Sequence, residues 1–163
     1  MARAEARHLR LSSFMPYRLS VAAHAVLSLV TDAYQQEFGL PIPEWRVVAV
    51  LQEFGSLTQQ QVVARSTLDK QTVSRAVRGL LRKRLIQRQR SSSDGRAYNL
   101  RLSAAGERLH ARLTPLALEL EQRLLAGLTP TQARQLIDQL VRLEQAARAA
   151  AAARAGGAVR RQD

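Results

Sequence analysis

The sequence predicts a mainly α chain carrying one small β-hairpin, in the order α-α-α-α-β-β-α-α, and three observations support it. Helical apolar spacing recurs in the stretches 16–38, 44–54, 109–124 and 136–144. Two short capped segments lie between the second and the last two of these. A Ser-Ser-Ser-Asp-Gly cluster then separates two short runs, the pattern of a hairpin turn, in RQRSSSDGRAYNLRL (Arg88–Leu102).

In the first helix, about Pro16 to Phe38, the apolar residues Leu19, Ala22, Val26, Val30, Ala33 and Tyr34 recur, and Gly39 is placed to stop it. Pro43 suits a helix start, and Trp45, Val48, Ala49 and Leu51 give the second helix its apolar set before Gly55 ends it. Thr58-Gln-Gln-Gln61 has the form of a capping box opening a two-turn helix. Asp69 can cap the next, which runs to about Leu81 on Val73, Ala76, Val77, Leu80 and Leu81. Two short helices joined by a tight turn form a helix-turn-helix candidate. Strands are expected near Ile86–Arg90 and Ala97–Leu102. Ser103 caps a long helix with the stripe Leu109, Leu113, Leu116, Leu120 and Leu124, which Pro115 should kink. Thr129-Pro130-Thr131-Gln132 starts the last helix, which uses Leu136, Ile137, Leu140 and Val141 and then dissolves into a low-complexity tail expected to fray. The division expected is an N-terminal arm and helix over 1–39, a central domain over 40–102, C-terminal helices over 103–155 and a disordered tail over 156–163.

Composition narrows the partner. The chain has 163 residues, enough for one core, with 25 Lys and Arg against 13 Asp and Glu, a net charge of +12. Between Thr58 and Leu102 stand eleven basic residues and two acidic ones, Asp69 and Asp94, so +9 of that charge lies in the middle third. A polyanion such as nucleic acid is the partner this implies, because an anionic membrane surface would need apolar anchors opposite the charge. The absence of cysteine excludes disulfides, cysteine-held zinc and thiol switches. No signal-peptide pattern opens the chain and VAAHAVLSLV is too short to span a bilayer, so a soluble cytoplasmic protein is expected.

The helix after Asp69 has two faces. Gln71, Arg75, Arg78 and Arg82 form a stripe opposite its apolar face, with Lys70 and Ser74 beside them. A helix from Lys70 to Lys83 is about 21 Å long at about 1.5 Å per residue, a length that suits a major groove. Arginine can pair bidentately with guanine and glutamine with adenine, so the stripe can read sequence. A merely solvated basic face is the alternative. The capped helix before it, the basic hairpin after it and the lack of neutralising carboxylates all weigh against that.

From Leu40 to Leu109 the sequence resembles the MarR (multiple-antibiotic-resistance regulator) family of winged helix-turn-helix transcription factors. The matching stretches are LPIPEWRVVAVL, LTQQQVVARSTLDKQTVSR, LLRKRLIQR, SDGRA at the wing tip and LSAAGERL, in the family's order. The resemblance implies a homodimer built on the N- and C-terminal helices, bound to double-stranded DNA at a pseudo-palindromic operator, usually repressing and usually released by a small molecule. It places Gln71, Ser74 and Arg75 at DNA, Thr72 near phosphates, Asp94 as a brace of the wing tip and Arg96 in the minor groove. Three positions depart from the pattern. Gly95 replaces a common arginine, and Gly79 is mildly unfavourable inside a helix. Arg84 occupies the place of a usual glycine, where a left-handed conformation would cost it about 1 kcal/mol, so a different turn is expected.

No cofactor is expected, and His8, His24 and His110 do not form a metal-binding pattern. The input expected is an aromatic carboxylate, a ligand class common in the family. Arg18 can pair with its carboxylate, Tyr17 or Phe14 can stack on its ring, and His110 can complete the pocket. Equally, Phe14, Met15 and Tyr17 can be dimer core with Arg18 in an internal salt bridge. Two other function classes stand beside the repressor: a nonspecific or architectural DNA-binding protein without an effector, and an enzyme, for which no phosphate loop, zinc-protease motif or nucleophile–base pair is found.

Overall fold

The computed structural model describes residues 9–90 and 98–159. A 3-10 turn, Leu11–Ser13, precedes α1 (Met15–Phe38), α2 (Ile42–Phe54), β1 (Leu57–Thr58), α3 (Gln59–Ser66), α4 (Lys70–Arg82), β2 (Ile86–Arg90), β3 (Tyr98–Leu102), α5 (Ala104–Leu125) and α6 (Pro130–Val159). The chain forms two compact units that divide within α5, Met1–Ala117 and Leu118–Asp163. Among the described residues no helix is long and apolar enough to cross a membrane.

The capping chemistry predicted from the sequence sets the helix starts. In the Thr58–Gln61 box the Thr58 hydroxyl accepts from the Gln61 amide at 3.2 Å and the Gln61 side chain accepts from the Thr58 amide at 2.9 Å. Thr129 and Gln132 repeat the arrangement before α6 at 2.8 and 3.3 Å. Asp69 caps α4 through the Thr72 amide at 2.9 Å, and Ser103 caps α5 through the Gly106 amide at 3.1 Å. Gly39 ends α1 in the left-handed region, at φ 57°.

The sheet adds one strand to the predicted hairpin. β1 pairs with β3, and the antiparallel order is β1-β3-β2, with Leu57 opposite Leu100 and Ile86 opposite Leu102. β1 has only two residues, and Thr58 serves at once as strand end and helix cap, so no run of alternation announces it.

The core of the first unit gathers around α2 and α4. Val47, Val48, Val62, Val73, Val77, Leu80 and Leu113 are fully buried, and Leu57, Ile86, Leu100 and Leu102 close the sheet side. Each such side chain contributes about 1.5–3 kcal/mol by leaving water. Of the six residues in the apolar set expected for α1, only Tyr34 is buried, its ring tilted against Trp45 with centroids 5.2 Å apart. Burial also pushes the Tyr34 phenol up from its ordinary pKa. Leu19 and Val26 are exposed.

Two expectations are corrected. The turn after α4 does not rearrange to spare Arg84, which adopts φ 55°. The Arg84 amide donates to Leu81 at 3.0 Å and the Leu85 amide to Leu80 at 2.9 Å, and these helix-ending bonds require the left-handed residue there. In the second unit, α6 remains helical to Val159, through Gly156 and Gly157 of the stretch expected to be disordered, as an extension of the alanine-rich helix that precedes them. α5 is continuous through Pro115.

Candidate nucleic-acid interface

α4 segregates its residues sharply. Val73, Ala76, Val77 and Leu80 turn inward, while Lys70, Gln71, Arg75, Arg78 and Arg82 are exposed and Thr72 and Ser74 are half-buried. Among the described residues no carboxylate lies within ion-pair reach of Lys70, Arg75, Arg78 or Arg82. Among the described residues nothing neutralises their charge. A concavity of about 460 Å³ runs along the stripe, lined by Gln59 of α3 and by Lys70, Gln71, Ser74, Arg75 and Arg78. α3 thus stands beside the N-terminal half of α4, the arrangement in which a first helix crosses the DNA backbone while the second enters the groove.

The turn between α3 and α4 is pinned in an unusual conformation. Thr67 has φ 55°, which a β-branched residue rarely adopts, and the Arg46 guanidinium of α2 donates to its hydroxyl at 3.0 Å. Asp69 then starts α4. Hydrogen bonds from the Thr72 hydroxyl and amide hold its carboxyl below the usual carboxylate range. The cap is therefore charged at neutral pH; its contribution is present above the ordinary carboxylate pKa and is lost as pH falls through the lowered one.

The far end of α4 is tied to the start of α2. Lys83 pairs with Glu44 at 2.6 Å and also donates to the Gly39 carbonyl at 3.2 Å. The Glu44 side chain is 11% exposed and lies directly over Gly79. Gly79, read from the sequence as a mild defect, is the gap that admits this carboxylate. A short apolar run gives no sign that a glutamate will fold onto it.

The wing is described only in its arms, β2 and β3. Arg88 and Arg90 are exposed on β2 and Arg101 on β3. Asp94 and Arg96, with the whole tip, lie outside the described residues.

The predicted effector residues divide between two helices. Phe14 precedes α1, Tyr17 and Arg18 lie in its first turn, and all three are exposed; His110 is half-buried on α5, where its carbonyl accepts from the Thr114 hydroxyl at 2.9 Å. None of the four lines a described cavity. Arg18 has no carboxylate partner among the described residues.

A helix-turn-helix whose second helix presents a carboxylate-free basic stripe, followed by a three-stranded sheet, is a winged helix-turn-helix of the transcription-regulator class. Residues 38–97 match the model of the MarR family. A transcriptional repressor of Pseudomonas putida, IacR, is 27% identical over 121 residues, 74% of this chain and 72% of that protein. A MarR/EmrR family regulator from Acinetobacter sp. ADP1 has the same fold with a TM-score of 0.78 at 27% identity, over 85% of this chain and 98% of that one. The PcaV regulator of Streptomyces coelicolor, solved in complex with its natural ligand, gives 0.71 at 26% identity over 86% and 98%. The central part of the chain thus matches the MarR family model, and the relatives it resembles are transcriptional regulators.

Proposed function

We propose that the protein is a homodimeric, sequence-specific repressor that leaves a pseudo-palindromic operator when a small aromatic acid binds. The observation that carries the DNA-reading half is the exposed stripe of Gln71, Arg75, Arg78 and Arg82, unmatched by any described carboxylate. Lys70 and Ser74 complete the DNA-facing set, and Thr72, Asp94 and Arg96 are assigned to DNA on the family pattern alone, the last two at the wing tip. The likeness to a named repressor supports the direction of control.

Two exposed apolar faces support the dimer. α1 exposes Leu19, Val26, Leu27 and Leu29, and α6 exposes Leu136, Ile137, Leu140 and Val141. Such faces on a monomer mark an interaction surface. For the effector, exposed Phe14 and Tyr17 beside Arg18, which has no carboxylate partner among the described residues, supply ring-stacking and carboxylate-pairing groups, and His110 is the fourth member assigned. The relative solved with a natural ligand supports small-molecule control.

Competition binding tests the reading. The protein should prefer its own promoter palindrome over bulk DNA by about 10³-fold or more at physiological salt. Equal affinity would leave a nonspecific DNA-binding protein. A thermal-shift screen of aromatic acids, repeated with operator present, tests the input: one compound should stabilise the protein and lose its effect in Arg18→Ala.

A further inference from the structure

The hydroxyl of Thr72 stands between two charged side chains. It donates to Oδ2 of Asp69 at 2.6 Å and accepts from Nη2 of Arg75 at 3.1 Å. The other carboxylate oxygen of Asp69, Oδ1, accepts from the Thr72 amide at 2.9 Å as the cap of α4. A carboxylate, a hydroxyl and a guanidinium thus form one chain along the first two turns of α4.

Each link restricts the next. Capping fixes the Asp69 carboxylate against the helix end, and threonine, branched at Cβ, has few rotamers available. With the Thr72 proton committed to Asp69, the oxygen's lone pairs are left to receive an N–H. A phosphate oxygen needs a donor, and in this arrangement Thr72 has none to offer. The phosphate role that the family pattern suggests for Thr72 is therefore replaced by one directed at Arg75.

The bond also gives Arg75 a direction. Its side chain runs back three residues toward the N-terminal end of α4, the end that meets base edges in this docking geometry. Beside it lies a groove of about 200 Å³ lined by Pro41, Pro43, Glu44, Thr72, Arg75 and Ala76. A guanidinium released from Thr72 has that groove, with the Glu44 carboxylate in its wall, as an alternative resting place.

The geometry points to Thr72 as a specificity-determining positioning residue, which holds the Arg75 guanidinium ready for base readout through a hydroxyl anchored on Asp69. This rests on the reading of α4 as the recognition helix. A prepositioned fork loses less side-chain freedom on pairing with a base, and a wrong base gains nothing from the order already imposed.

Selection from a randomised duplex library, followed by affinities for the selected site and its single-base variants, tests this with wild type, Arg75→Ala, Thr72→Val, Thr72→Ser and Asp69→Asn. Arg75→Ala identifies the base pair that Arg75 reads. Thr72→Val should lower discrimination at that pair by about 2- to 12-fold and leave the other positions unchanged. Thr72→Ser should retain it, and Asp69→Asn, which keeps a capping oxygen, should fall between. Unaltered discrimination at the Arg75 pair in Thr72→Val, or a uniform loss on every sequence, would overturn the proposal while leaving the operator reading intact. A wild-type protein that enriches no sequence would instead remove the operator reading, and the proposal with it.

Discussion

The Glu44 carboxylate occupies the place where a side chain at position 79 would begin. A Cβ built on Gly79 would overlap Oε1 of Glu44, and the same carboxylate pairs with Lys83 at 2.6 Å. Helix α4 is thereby fastened at its C-terminal half to the first turn of α2, as well as by its apolar face.

This relationship predicts a sign change. Alanine normally improves a helix interior over glycine by about 1 kcal/mol. In wild type, Gly79→Ala should fail to deliver that gain, because the carboxylate must move and Lys83 loses its partner. In an Glu44→Ala background the same substitution should stabilise by about 1 kcal/mol. Urea denaturation of the four proteins checks it; a Gly79→Ala effect identical in both backgrounds would show that the two residues are not coupled.

Arg84 carries a conformational cost that glycine would relieve. Its φ of 55° is met within helix-ending hydrogen bonds that fix the turn. Arg84→Gly should raise stability by about 0.5–1 kcal/mol, the left-handed penalty less the extra freedom glycine gives the unfolded chain. The Ser103 hydroxyl bond to the Arg84 carbonyl, 2.7 Å, is a backbone contact that the substitution retains. An unchanged denaturation midpoint would contradict the strain.

Gly106 should tolerate no side chain. A Cβ there would overlap the Leu85 carbonyl oxygen, which is backbone and also accepts the Ser103 amide at 3.0 Å. Gly106→Ala should destabilise by about 1–3 kcal/mol, in the range of an overpacked core, despite the better helix propensity of alanine. Thermal melts measure it.

Arginines at the interface should separate by salt dependence. Arg96→Ala should weaken DNA binding and reduce the slope of log K against log salt by about one unit, with little loss of folding. Arg75→Ala should cost about 1 to 3 kcal/mol and relax preference at one position per half-site. An unchanged slope in the first would deny the wing its contact, and a uniform loss in the second would make Arg75 a backbone contact.

The exposed faces of α1 and α6 give an assembly prediction. Light scattering should return twice the chain mass of 18.1 kDa, and Ile137→Glu with Leu140→Glu, which place charge on one of those faces, should return it to monomer. A wild-type monomer would remove the dimer from the proposed function.

Local chemistry carried far in this sequence. Caps at Thr58, Asp69, Ser103 and Thr129, the stop at Gly39 and the two faces of α4 all follow from neighbours within four residues, where hydrogen-bond reach and helical period are set by the chain itself, and the hairpin arms follow from the turn residues between them. The exposed stripe was therefore legible, and so was its class of partner. What only the tertiary structure decided involves residues distant in sequence. Glu44 reaches Lys83 and Gly79, Arg46 reaches Thr67, and Leu85 leaves room only for Gly106. β1 exists only because β3 presents an edge to it. No periodicity encodes such pairings, because each depends on where packing brings two segments together, and a glycine that reads as a local defect becomes the space that another side chain or carbonyl requires.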